Sequence, residues 1–105
     1  MTNIPDSHPR KSSLLSRQKI VDGAKRGLLA DSAMIAHGRG EAYDYLLGER
    51  TTSSASIAIR EASARLLRAV SPVISMNGNS TVLAGAEAIK IAAIVGCPIE
   101  VNIYY

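Results

Sequence analysis

The last third of the chain carries the pattern that most restricts its fold. Pro72-Val-Ile-Ser-Met76 is a short apolar run bounded by proline and by the turn-forming Asn77-Gly78-Asn79, which reads as a buried strand. Thr81 to Val95 is rich in Ala and Ile and meets Gly96, the pattern of a helix closed by a glycine cap. Pro98-Ile-Glu-Val-Asn-Ile-Tyr-Tyr105 reads as a second strand. Strand, helix and strand within about 30 residues require a crossover connection, and a crossover makes the two strands parallel. The expected class is α/β, with an arm and helices over residues 1–70 and the start of a parallel α/β domain over 71–105. Two strands do not make a stable sheet, and their open edges invite further pairing. The chain is therefore expected to be truncated, part of a longer polypeptide, or to receive its remaining strands from a partner.

In that arrangement Asn77-Gly78-Asn79-Ser80 lies at the carboxyl end of a strand and just before a helix. Open α/β sheets bind ligands there, with helix N–H groups facing an anion. A tight connection with a good cap is the alternative. The stretch has neither a glycine-rich dinucleotide fingerprint nor a phosphate-loop lysine. Cys97, between Gly96 and Pro98, reads as a small buried residue with no adjacent base. A single cysteine excludes an internal disulfide, and the two histidines, His8 and His37, do not complete a zinc set.

Upstream, residues 1–12 read as an irregular arm, because Pro5 and Pro9 favour extended backbone at Ile4 and His8. A helix pattern starts at Ser13, with Ser12 or Ser13 as cap and Leu14, Val21, Ala24 and Leu28 on one stripe. Arg17 falls on that stripe, while Lys19, Asp22 and Arg26 fall opposite. An inward guanidinium stays charged and must find a partner, either a buried carboxylate or a ligand phosphate. Gly27 ends this helix, and Asp31 is placed to cap a second stretch from Ser32 to His37. His37-Gly38-Arg39-Gly40-Glu41 is expected to interrupt it before Ala42–Leu47 resumes. The two glycines beside Arg39 allow backbone to approach a ligand or another helix, or mark a plain helix–helix corner.

Residues 51–70 give the clearest helix, with Ala55, Ala58, Ile59, Ala62, Leu66, Ala69 and Val70 recurring at helical spacing. Thr51 or Thr52 can cap it, and Glu61 precedes Arg65 by one helical turn. Its small residues suit a close helix or subunit contact, and it is assigned no chemistry.

The net charge of +3 gathers at the front, where residues 1–27 carry six basic side chains against Asp6 and Asp22. A small anionic ligand or a solvated basic helix fits this excess better than nucleic acid, since no aromatics interleave with it to stack on bases. No apolar run reaches the ~18–20 residues of a membrane span, and the first residues lack the order of a signal peptide. A cytoplasmic protein is the expectation.

Four ordered motifs together resemble one family: Ile4-Pro-Asp-Ser-His-Pro-Arg-Lys-Ser-Ser-Leu-Leu-Ser-Arg17, Ile35-Ala-His-Gly-Arg-Gly-Glu-Ala-Tyr-Asp-Tyr-Leu-Leu-Gly-Glu49, Pro72-Val-Ile-Ser-Met-Asn-Gly-Asn79 and Glu100-Val-Asn-Ile-Tyr-Tyr105. They are similar to the archaeal phosphopantothenate synthetases, also called 4-phosphopantoate–β-alanine ligases. Lys11 stands where that family often has Tyr, Ser71 where it commonly has His, and family members are much longer. The resemblance implies a Rossmann-like sheet beginning at residue 71 and a homodimer using ATP and Mg²⁺. It also implies a reaction, in which ATP activates 4-phosphopantoate as an acyl-adenylate and β-alanine then displaces AMP on the route to coenzyme A. Arg17 and Arg39 would contact ATP, and Arg10 the substrate phosphate. His37 would orient the acyl group or β-alanine. Glu41 would pair with an arginine or help hold the cation, and Asn77 and Asn79 would donate to substrate. No protein metal-ligand set is assigned. The competing readings are a non-catalytic nucleotide-binding or dimerisation fragment and a basic nucleic-acid-binding module.

Overall fold

The computed structural model describes residues 3–102. Helices α1 (Lys11–Lys25), α2 (Ser32–Leu46) and α3 (Ser53–Arg68) precede strand β1 (Ile74–Met76), helix α4 (Gly78–Val95) and strand β2 (Ile99–Val101). The strands pair in parallel, with Ile74 opposite Ile99, Ser75 opposite Glu100 and Met76 opposite Val101. The strand–helix–strand expectation is met at the level of an α/β architecture. The end of the second expected strand, Ile103 to Tyr105, lies outside the described residues.

Helix α4 begins three residues earlier than the sequence pattern suggested. Asn77 takes the cap position, its side chain accepting from Ser80 N–H while Ser80 Oγ accepts from Asn77 N–H, both at 2.9 Å. This reciprocal arrangement satisfies two otherwise unpaired helix-end donors. Gly78 is then the first helical residue, and a Cβ there would stand 2.7 Å from Leu29 Cβ and 3.2 Å from its Cα. Glycine therefore lets the segment leaving α1 pass directly over the start of α4.

Helices α1 and α2 end alike. Leu28 N–H bonds to Gly23 C=O and Gly27 N–H to Ala24 C=O, with Gly27 at φ +73°. Glu49 N–H bonds to Asp44 C=O and Gly48 N–H to Tyr45 C=O, with Gly48 at φ +86°. Both are Schellman closures, which need a left-handed residue where glycine is least costly.

The inward face of α1 differs from the expected stripe. Its buried residues are Ile20 and Gly23, whereas Leu14, Val21 and Ala24 are half-buried and Leu28 is exposed. The reason is the neighbour: α4 comes so close that a Cβ on Gly23 would lie 2.8 Å from Val82 Cγ2. Apolar periodicity cannot mark a contact made by a glycine. Ile20, fully buried, joins Met76, Ala88 and Ala92 in the core between α1, β1 and α4. Burying Ile20 stabilises the fold by roughly 1.5–3 kcal/mol.

Two further expectations are corrected. The cap of α1 is Arg10, with no side-chain bond, in place of Ser12 or Ser13. No break occurs at residues 37–41, because α2 runs unbroken through Gly38 and Gly40. Asp31 does cap α2, though through its backbone carbonyl to Met34 N–H and not through its side chain. Thr52 caps α3 by accepting from Ala55 N–H at 3.2 Å, and Glu61 pairs with Arg65 at 2.9 Å, both as expected. The apolar stripe expected for α3 is left largely uncovered, with Ile59 and Val70 exposed and Leu66 half-buried, and α3 packs extensively against no other described element. Among the described residues no helix is long and apolar enough to cross a membrane.

Candidate active site

Packing α1 against α2 brings four of the expected site residues to one seam. Arg17, on the inner side of α1, donates from Nη1 to Met34 C=O at 2.9 Å and lies 3.3 Å from His37 Nδ1. His37 Nδ1 is also 3.2 Å from Glu41 Oε1, one helical turn along α2. That nitrogen serves one contact at a time: protonated it donates to Glu41, and unprotonated it accepts from Arg17. Arg10, at the head of α1, approaches the other oxygen of the same carboxylate, with Nη2 4.0 Å from Glu41 Oε2. Arg17 Nε is 3.9 Å from Glu41 Oε1.

These distances answer the question posed by Arg17 on an apolar stripe. Its firm partner is a backbone carbonyl, and the carboxylate stands beyond hydrogen-bond reach. Two guanidinium groups thus approach one carboxylate from its two oxygens without closing on it. Beside them a cleft of about 270 Å³ is lined by Ser12, Ser13 and Ser16 of α1, by His37, Gly40, Glu41 and Asp44 of α2, and by Leu83 of α4. That volume is just under the ~300–1,000 Å³ of pockets that enclose a whole drug-sized ligand. Three serines, one histidine and the carboxylates of Glu41 and Asp44 supply the polar lining of the cleft; Arg10 and Arg17 approach Glu41 without lining it themselves.

Arg10 has a second carboxylate that the sequence did not point to. Its Nε donates to Glu49 Oε1 at 2.5 Å, and its guanidinium carbon lies 5.2 Å from the centre of the Tyr45 ring. The Glu49 hydrogen bond holds the Arg10 pKa above its ordinary value. The pair is separated by 39 residues, and the carboxylate returns to α1 only because both Gly48 and Glu49 are left-handed, Glu49 at φ +53°. Gly48 signals the end of a helix, but nothing in the local sequence signals that the following glutamate turns back.

The remaining expected residues lie elsewhere. Arg39 is two positions from both His37 and Glu41, about 200° around the helix; it is exposed and makes no ion pair among the described residues. A Cβ at Gly38 or Gly40 would meet nothing within 4 Å, so the backbone beside Arg39 is open. Asn77 is committed to capping α4. Asn79 donates from Nδ2 to Ala33 C=O at 3.0 Å, and its buried Oδ1 has no partner among the described residues. Asn79 and Arg17 therefore anchor α2 through the adjacent carbonyls of Ala33 and Met34. A second cleft, about 360 Å³ and lined by Lys19, Arg26 and Thr81 among others, contains none of the expected site residues.

Comparison with known proteins bears on what this seam serves. The family described as phosphopantothenate/pantothenate synthetase matches residues 54–105. A 4-phosphopantoate–β-alanine ligase of Thermococcus kodakarensis is 50% identical over 105 residues, all of this chain and 40% of that protein. The protein of the same name from Methanosarcina mazei is also 50% identical over 105 residues, covering 42% of its length. The whole chain is thus similar to a part of the phosphopantothenate synthetases. It spans about 40% of the length of the curated relatives it matches. The similarity to these ligases runs through α1 and α2 as well as the βαβ segment, so the Arg10–Arg17–His37–Glu41 seam lies inside the matched region.

Proposed function

We propose that this chain forms part of a 4-phosphopantoate–β-alanine ligase. In the reaction a carboxylate oxygen of 4-phosphopantoate attacks the α-phosphorus of ATP, and the bond to the β-phosphate breaks to release pyrophosphate. The amine of β-alanine then attacks the acyl carbon of the adenylate, AMP leaves and the amine loses a proton, giving 4'-phosphopantothenate. The observation that carries this reading is the meeting of Arg10, Arg17 and His37 around Glu41 at the α1–α2 seam, in a chain half-identical to proteins bearing that name.

Charge accumulates on phosphate oxygens as the adenylate forms, and fixed cations aimed at those oxygens lower the barrier. Arg17, whose guanidinium is oriented by Met34 C=O, is assigned to the phosphates of ATP. Arg39, exposed on the far face of α2, is assigned to the same molecule, with its phosphates passing over the open backbone of Gly40, which lines the cleft. Arg10 is assigned to the phosphate of the acid substrate. His37, steadied by Glu41, orients the β-alanine amine. Asn77 and Asn79 are assigned to the acid substrate from the α4 terminus, each as a donor through an amide N–H that its own hydrogen bond in the fold leaves free. Among the described residues no three His, Cys, Asp or Glu side chains come together. Mg²⁺ brought in with ATP would then be held mainly by phosphate oxygens and water, and no step is assigned to a metal ligand of this segment. The same proposal includes a Rossmann-like sheet from residue 71, a homodimer and a cytoplasmic location.

The test is product analysis with the full-length protein. AMP and pyrophosphate should form in equal amounts with the amide, and only when ATP, 4-phosphopantoate and β-alanine are all present. Formation of ADP and phosphate, or turnover independent of 4-phosphopantoate, contradicts the proposal.

A further inference from the structure

Glu49 is the one non-glycine residue in the left-handed region among the described residues. A side chain there is disfavoured, and glutamate lacks the short polar group that lets Asn or Asp adopt it readily. The local fold does not require it, since Gly48 already closes α2. What the conformation achieves is a 2.5 Å contact from Glu49 Oε1 to Arg10 Nε. The Tyr45 ring, 5.2 Å from the guanidinium carbon, restrains a second face of the same group. Nε carries a single hydrogen, so this contact leaves the four Nη hydrogens uncommitted. The nearest other carboxylate among the described residues, that of Glu41, stands 4.0 Å from Nη2, too far for a hydrogen bond. Arg10 is thus oriented through one edge while its phosphate-binding edge faces Glu41, which lines the cleft.

We propose that Glu49 is a positioning residue for Arg10, holding the guanidinium so that its Nη groups receive the phosphate of the phosphorylated acid substrate. The inference rests on the ligase reading, in which Arg10 binds that phosphate. A structural tie between the head of α1 and the end of α2 would use the same contact, so the test must separate substrate affinity from stability.

The full-length protein and its Glu49→Gln, Glu49→Gly and Glu61→Gln variants are compared, Glu61 being an exposed carboxylate on α3 that pairs only with Arg65 among the described residues. In both Glu49 variants KM for 4-phosphopantoate should rise about tenfold. KM for ATP should stay within about twofold, and Glu61→Gln should match the wild type. Glycine adopts the left-handed conformation freely, so the denaturation midpoint of Glu49→Gly should stay at the wild-type value or above it. The Arg10 Nε–H nuclear magnetic resonance signal, slow to exchange in the wild type, should exchange rapidly in Glu49→Gly. The proposal is overturned if KM for 4-phosphopantoate is unchanged, or if both KM values and the midpoint worsen together as a tie would require. A wild type that does not ligate fails the underlying reading as well, and is recognised without reference to the variants.

Discussion

Replacing Gly38 and Gly40 by alanine should make the protein more stable and a poorer user of ATP. Both glycines lie inside α2, at negative φ, and an added Cβ at either meets nothing within 4 Å. Alanine therefore fits the backbone without strain or collision. Glycine in a helix interior is about 0.8–1 kcal/mol less favourable than alanine. The two sites share no partner, so their effects should nearly add, to about 2 kcal/mol for the double variant. With a urea dependence of about 2 kcal/mol per molar, the unfolding midpoint should rise by roughly 1 M. The methyl at position 40 occupies the space through which the phosphates are proposed to pass, so KM for ATP should increase about tenfold. Equilibrium urea unfolding and initial-rate kinetics on the same full-length preparations test both parts. A lowered midpoint would refute an unbroken, uncovered α2, and a raised midpoint with unchanged KM for ATP would refute the phosphate path.

Two other substitutions have defined outcomes. Gly78→Ala places a methyl 2.7 Å from Leu29 Cβ and 3.2 Å from its backbone Cα, a collision that no rotamer change relieves. The expected loss is about 1–3 kcal/mol, read as a lower urea midpoint, and an unchanged midpoint would show that the segment leaving α1 and the start of α4 do not meet at this distance. Arg17→Ala should lower kcat/KM for ATP by about 10²–10³-fold, with Arg17→Lys restoring little because it lacks the planar fork; unchanged kinetics in both variants would remove Arg17 from the site.

Which features could be read beforehand follows from the range of the forces involved. The βαβ segment is announced locally, by Pro72, by Asn77 and by Gly96, and the structure follows that order. The sequence pattern places the start of α4 too late because Asn77-Gly78-Asn79 has turn composition, whereas Asn77 acts there as a cap. The expected break in α2 rested on the weak helix propensity of Gly38 and Gly40. It is overridden by tertiary anchors, from Arg17 to Met34 and from Asn79 to Ala33, that hold the first turn. Arg17 was recognisable as an anomaly because an arginine on an apolar stripe needs a partner. The meeting of Arg10 with Glu49 was not, because it depends on a left-handed glutamate 39 residues away. The stripe on α3 was legible as a helix face, but what it packs against is not determined by its own sequence.

The central claim is that the α1–α2 seam serves the adenylation of a phosphorylated acid, and the fate of the carboxylate oxygen tests it most directly. The full-length protein should be given 4-phosphopantoate labelled with ¹⁸O in its carboxylate, together with ATP and β-alanine, and the products examined by mass spectrometry. Attack of that carboxylate on the α-phosphorus requires one labelled oxygen to appear in AMP for each amide formed. Label in inorganic phosphate, or AMP without label, would contradict the account.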